Sequence, residues 1–246
     1  MEVDGWIIGL NNSKMKILLI SFLSLIISET LVPNKKIKIN AGEPSGIYCS
    51  NGKCIISSDD GNVYSFNPEN YQIENLKIYG EDFEGVTISE NNIYLIEERS
   101  RKLLKYDNEF QLLKTVTLPY SGRLNRGYEG VTHYNNNLFV ITEKNPCLLT
   151  ILNKDLQITN QVLLNIKEAS DIIIYKDELL VLSEQDHCIY VLDITNYKIK
   201  KKFNLNLIGA EGICIYKNQM LITSDKLSTV YFFDIPELWK NYFSFY

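Results

Sequence analysis

The sequence predicts an all-β chain folded as a five-bladed β-propeller of four-stranded antiparallel blades, closed by an N-terminal strand. Three observations predict it. One unit recurs five times, opening at Ser45-Gly46, Glu84-Gly85, Glu129-Gly130, Ser170-Asp171 and Glu211-Gly212. Each unit carries an acid at one constant offset from its start, at Asp59, Glu98, Glu143, Glu184 and Asp225. The chain is 45% apolar, with 16 Tyr and 10 Phe, which supplies a large core in residues that favour strands. Repeats of roughly 40 residues built from short strands bring equivalent positions together around one axis.

The third unit displays the elements in order. Gly130 to Tyr134 forms a short strand, Asn135 to Asn137 a turn, and Leu138 to Thr142 an apolar strand. A second turn at Glu143 to Pro146 leads to a strand at Cys147 to Leu152, and a fourth strand follows a charged turn. The first strand of each unit is expected innermost. Long apolar second strands such as Leu179 to Leu182 fit burial on both faces between neighbouring blades. The fifth unit has three clear strands ending at Asp234, so a strand at 36–39 is expected to complete it. Pro236 cannot continue a central strand, and the tail 236–246 is expected to form a short helix or an apolar cover.

Residues 1–32 read as an N-terminal extension with a signal peptide or anchor, and 33–246 as the propeller domain. Lys14 and Lys16 precede an apolar run from Ile17 to Ile27, the order of a secretory signal. At roughly 11 residues the run falls short of the ~20 that a membrane-spanning helix needs. No Ala-x-Ala site follows it, so a cleaved signal and an uncleaved anchor both remain open, with Met15 as an alternative start. The expected location is exported: periplasmic, secreted or associated with the plasma membrane.

Net charge is −5 and the isoelectric point about 5.2, which gives no electrostatic case for nucleic acid. None of the five cysteines falls in a zinc-type spacing. Cys49 and Cys54 flank an Asn-Gly turn, which sets them opposite each other across a hairpin. They read either as a cross-strand disulfide or as two small residues packing together.

Strand direction locates the chemistry. If Glu84 opens an inner strand at the upper mouth of the channel, the chain runs down, returns up the second strand, and leaves Glu98 at the same mouth. Two acidic series then converge. One is Glu84, Glu129 and Glu211, with Ser45 and Ser170 in the remaining places; the other is the five acids at the constant offset. Crowded carboxylates raise one another's pKa unless a cation sits among them. Oxygen-only donors in a roomy ring suit Ca²⁺. The alternative reading of the second series is that each acid caps its own turn.

All four arginines, Arg99, Arg101, Arg123 and Arg126, are close together in the chain, on two loops expected to open at the upper mouth between the second and third blades. Guanidinium forks suit carboxylate or phosphate, so these four and His187 are the candidates for binding a small anionic ligand. Pairing with local acids is the competing use of the arginines. His133 falls where most other units have Ile and reads as a packed strand residue.

The segments Phe83-Glu-Gly-Val-Thr87, Ile93 to Glu98 and Leu103 to Asp107, with Tyr128-Glu-Gly-Val-Thr132 and Leu138 to Lys144, resemble the SdiA-regulated family over roughly 40–235. The resemblance implies a five-bladed envelope propeller with a Ca²⁺ site, plasma-membrane or periplasmic association, and no established activity. The Glu of each Glu-Gly pair also resembles the metal-binding Glu of six-bladed regucalcin-like lactonases. Ser45 and Ser170 depart from that pattern, with Asp171 as a substitute ligand. The functional expectation is an exported Ca²⁺-binding module, acting as a monomer on a small anionic ligand or an envelope partner, with membrane association through the N-terminal segment. The alternative is a Ca²⁺-dependent hydrolase of the lactonase or phosphoesterase kind, acting on a small anionic substrate.

Overall fold

The structure, a computed structural model, describes residues 29–50, 52–120, 122–123 and 126–236. The expected signal or anchor and the tail beyond Pro236 lie outside the described residues.

Five antiparallel sheets form five blades. Blade I comprises Pro44–Ser50, Lys53–Ser58, Asn62–Phe66 and Ile73–Tyr79. Blade II comprises Phe83–Ser89, Asn92–Glu97, Lys102–Tyr106 and Leu112–Thr117. Blade III comprises Tyr128–Tyr134, Asn137–Thr142, Leu148–Leu152 and Ile158–Leu163. Blade IV comprises Asp171–Tyr175, Glu178–Ser183, Cys188–Asp193 and Ile199–Leu205. Blade V takes Ala210–Tyr216, Gln219–Ser224 and Thr229–Asp234 from the end of the chain and Lys35–Lys38 from its beginning. Lys36 pairs with Tyr231 and Ile37 with Val230 in that closing sheet. Closure therefore follows the expectation, one residue earlier than 36–39. Thr30–Leu31 adds a short parallel strand to the edge of blade IV, so residues of the propeller begin before position 33. Among the described residues no helix is long and apolar enough to cross a membrane.

The second strands explain their own sequences. Successive side chains of a strand point to opposite faces, so each second strand feeds two cores. Leu95 packs between blades I and II, while Ile96 packs between II and III. Val140 joins the II–III core, and Ile141 joins the III–IV core. Leu221 faces blade I, and Ile222 faces blade IV. A strand buried on both faces cannot alternate apolar and polar, which is why these runs are continuous. Each fully buried large side chain of this kind contributes roughly 1.5–3 kcal/mol. Outer strands such as Leu112–Thr117 are largely exposed and carry Lys and Thr.

Candidate functional site

The inner strands of the five blades pack against one another in a closed ring, I against II, III, IV, V and back to I. Their backbones approach closely at the upper end. A Cβ at Gly46 would lie 2.6 Å from the Glu84 carbonyl oxygen, and one at Gly85 2.7 Å from the Val131 nitrogen. That contact is why Gly follows the opening residue in blades I, II, III and V. The register of the same four inner strands also slips at this step, between Pro44 and Ile47, Phe83 and Val86, Tyr128 and Gly130, and Ala210 and Gly212. A bulge re-aims the side chain beside it.

Blade IV has Asp171 at the glycine position and no register shift. Its buried carboxylate accepts the Ile213 amide at 2.9 Å and the Ile172 amide at 2.8 Å. Asp171 thus ties blade IV to blade V. It is absent from the lining of the acidic cavity, and backbone amides occupy both of its oxygens.

The two acidic series do converge. One cavity of about 360 Å³ is lined by Glu84, Glu129, Glu211, Asp59, Glu98, Glu143, Glu184 and Asp225, with Ser45 and Ser170 in the serine places. Glu168 and Lys226 complete it. Glu168 escaped the sequence reading. It sits two residues before Ser170, and its oxygens are fixed by Ser170 Oγ at 2.9 Å, Ser183 Oγ at 2.6 Å and the Gln185 amide at 3.1 Å. Asp82 escaped too. Its carboxylate can meet those of Asp59 and Glu84, with ligand atoms all within 4.8 Å of one another. A signal for Glu168 existed, because the two units that open on Ser both carry Glu two residues earlier, at Glu43 and Glu168. Glu43 is exposed and outside the cavity lining.

Electrostatics divide the cavity into a stressed centre and a tethered rim. Glu84 and Glu129 are held well above the ordinary carboxylate range, first by burial and then by neighbouring acids. For Glu84 the strongest of these is Glu211, and for Glu129 it is Glu84. Glu211 is pushed to about 8 by burial and by Asp225 and Glu184, with Lys226 pulling the other way. Asp59 rises to about 6, chiefly through its hydrogen bond with Asp82.

At the rim, two acids neither cap their own turns nor stand free. Glu98 Oε1 accepts the Gly127 amide at 2.7 Å, and Glu184 Oε1 accepts the Gly209 amide at 3.1 Å. Each clamps the linker that enters the next blade. Glu143 and Asp225 take the adjacent Lys144 and Lys226 instead.

The arginine loops meet through contacts to backbone. Arg101 donates to the Tyr120 carbonyl and, at 2.9 Å, to the Gly122 carbonyl, fastening the blade II–III linker. Arg99 pairs with Asp82 at 3.2 Å. Arg123 and Arg126 share a turn through the Arg126 amide and the Arg123 carbonyl. None of the four lines the acidic cavity, nor does His187, which occupies the Glu184–His187 turn. His133 lies toward the other end of the channel, its Nδ1 3.3 Å from Thr87 Oγ1. Burial lowers its pKa. It lines a second cavity of about 270 Å³ with Tyr48, Cys49 and Cys214.

Nine carboxylates, two serines and one lysine line the acidic cavity. That donor set fits a hard cation and offers no soft ligand. No curated protein matches the chain. Among solved structures, Myxococcus xanthus glutaminyl cyclase is similar, with a TM-score of 0.68 at 13% identity over 85% of this chain and 100% of that one. Virginiamycin B lyase from Staphylococcus aureus gives 0.51 at 14% identity, covering 81% and 69%. The WD40 propeller domain of Doa1 gives 0.52 at 12%, covering 78% and 64%. At such identities these likenesses speak to the fold alone. The SdiA-regulated family matches residues 59–241, and the chain belongs to that family.

Proposed function

We propose that this propeller is an exported binding module of the cell envelope whose upper mouth holds a hard divalent cation, Ca²⁺ foremost. The observation that carries the reading is the convergence of both repeated acidic series on one cavity, with Glu84, Glu129 and Glu211 at its crowded centre. A divalent cation would let these groups ionise together. Glu98 and Glu184 would shape the rim while holding the neighbouring linkers. The basic and apolar N-terminal run supports export. A hairpin disulfide between Cys49 and Cys54 suits an oxidising compartment as well.

The binding module is preferred to the hydrolase because none of the residues expected to hold an anionic substrate lines the acidic cavity, and two of them have other partners. Arg101 is committed to backbone carbonyls and Arg99 to Asp82. Calorimetric titration of chelator-treated protein with Ca²⁺ tests the reading. Saturable binding is expected, and its loss in a Glu84→Gln, Glu129→Gln double variant. No heat and no thermal shift with Ca²⁺, Mg²⁺ or Mn²⁺ would overturn it.

A further inference from the structure

The channel end opposite the carboxylates carries three sulfur atoms. Cys49 and Cys54 face each other across the first hairpin of blade I and are joined by a disulfide. Cys214 lies on the inner strand of blade V, which packs against the inner strand of blade I. Its Sγ is 3.0 Å from Cys49 Sγ, the roughly 3–3.5 Å separation of reacting atoms in a near-attack arrangement. Cys147 and Cys188 are free thiols in the separate core between blades III and IV. Cys49 and Cys214 belong to the core between blades V and I and also line the cavity at this end of the channel.

We propose that Cys214 is a resolving thiol that moves the disulfide from Cys49–Cys54 to Cys49–Cys214, shifting the covalent link from within blade I to the junction of the first and last blades. The thiolate of Cys214 attacks Cys49 Sγ, and the bond to Cys54 breaks. Cys54 Sγ leaves with the electron pair and takes up the proton that Cys214 gave. No electron is gained or lost, so the exchange needs no external oxidant. Burial holds the Cys214 thiol well above its ordinary range, which keeps its thiolate scarce and makes the exchange slow; the hairpin link is the one formed in the structure. The two links differ in what they restrain. One joins partners 5 residues apart, the other partners 165 apart, and a longer closed loop restricts the unfolded chain more. The second link is a lock on ring closure, independent of any cation at the upper mouth.

Disulfide mapping of the full chain tests this. Native protein is held at mildly alkaline pH with a trace of reduced glutathione, quenched in acid, alkylated and digested without reduction. Cleavage after Lys53 places Cys49 and Cys54 on different peptides, so the two links are distinguishable by mass. A Cys49–Cys214 peptide pair should grow with time in the wild type and be absent from Cys214→Ser. In Cys54→Ser treated with oxidised glutathione, the same pair should form and raise the melting temperature by several degrees over the reduced form. A wild-type time course that holds only Cys49–Cys54 overturns the exchange, whatever the variant does.

Discussion

The two ends of the channel are built from the same five inner strands, yet they hold opposite chemistry. Opening positions carry Ser45, Glu84, Glu129, Ser170 and Glu211, and the positions four further along each strand carry Cys49, Ile88, His133, Ile174 and Ile215. At a strand rise of about 3.3 Å per residue, roughly 13 Å of channel separates an oxygen-rich mouth from a vestibule of sulfur, imidazole and aliphatic groups. The upper end crowds carboxyl groups whose charged forms are disfavoured, first by burial and then by one another, at Glu84, Glu129 and Glu211. The lower end is apolar enough to depress His133. Repetition therefore fixes where side chains gather, while the residue at each position decides what they do there.

The largest expected effect separates the ends by metal. A ligand at a hundredfold excess over its Kd stabilises the native state by about 2.7 kcal/mol. At roughly 2–4 °C per kcal/mol for a domain of this size, Ca²⁺ should raise the melting temperature by about 5–10 °C. Glu129→Gln should lose most of that rise. It should also melt no lower than wild type without metal, because burial and neighbouring acids already disfavour the charged form of Glu129, and Gln carries no charge. A metal-free variant that melts well below wild type would show that the central carboxylates stabilise the fold unaided.

Next comes the ring beneath the mouth. Gly85→Ala would put a Cβ 2.7 Å from the Val131 nitrogen, and backbone on both sides leaves little room to relax. Overpacking of this kind costs about 1–3 kcal/mol, to be read by chemical denaturation. A neutral result would mean that the inner strands separate more easily than their packing indicates.

The pH dependence follows from Glu211, whose folded value of about 8 lies above its ordinary 4.5. The folded state holds the proton more tightly, so this contribution is fully present below about 4.5 and is lost as pH rises through 8. Metal-free protein should lose stability across that window, and Ca²⁺ should flatten the slope. Melting curves on chelator-treated protein at several pH values, with and without Ca²⁺, measure both.

Smallest is the effect of Arg123→Ala. The side chain is exposed and outside the cavity lining, so stability should change by no more than about 0.5 kcal/mol and the Ca²⁺ response not at all. A clear loss of that response would return the arginine loop to the site.

The contrast between the ends also separates what was legible from what was not. The blades, their closure and the shared destination of eight acids followed from constant spacing, because a periodic chain leaves one way to superpose its units. Glu168 and Asp82 lie in the linkers before the inner strands, outside the stretch over which the units superpose best. Arg101 was misleading for another reason. A guanidinium fork fits a substrate carboxylate and a pair of backbone carbonyls equally well, and only the fold brings Tyr120 and Gly122 within its reach. The bulges were invisible because they answer to contacts between neighbouring strands rather than to their own sequence.

The closing strand carries a consequence for the order in which the molecule is made. Lys36 meets Tyr231 only after the four intervening blades have been synthesised, on the order of 10–40 s at typical elongation rates. Through that interval an early strand waits without its partner, the circumstance in which nascent chains pair with one another instead. Three of its four residues are lysine, and charged edges resist such pairing. The same charges that look unremarkable in the finished ring would keep ribosome-bound copies apart until each chain can shut its own circle.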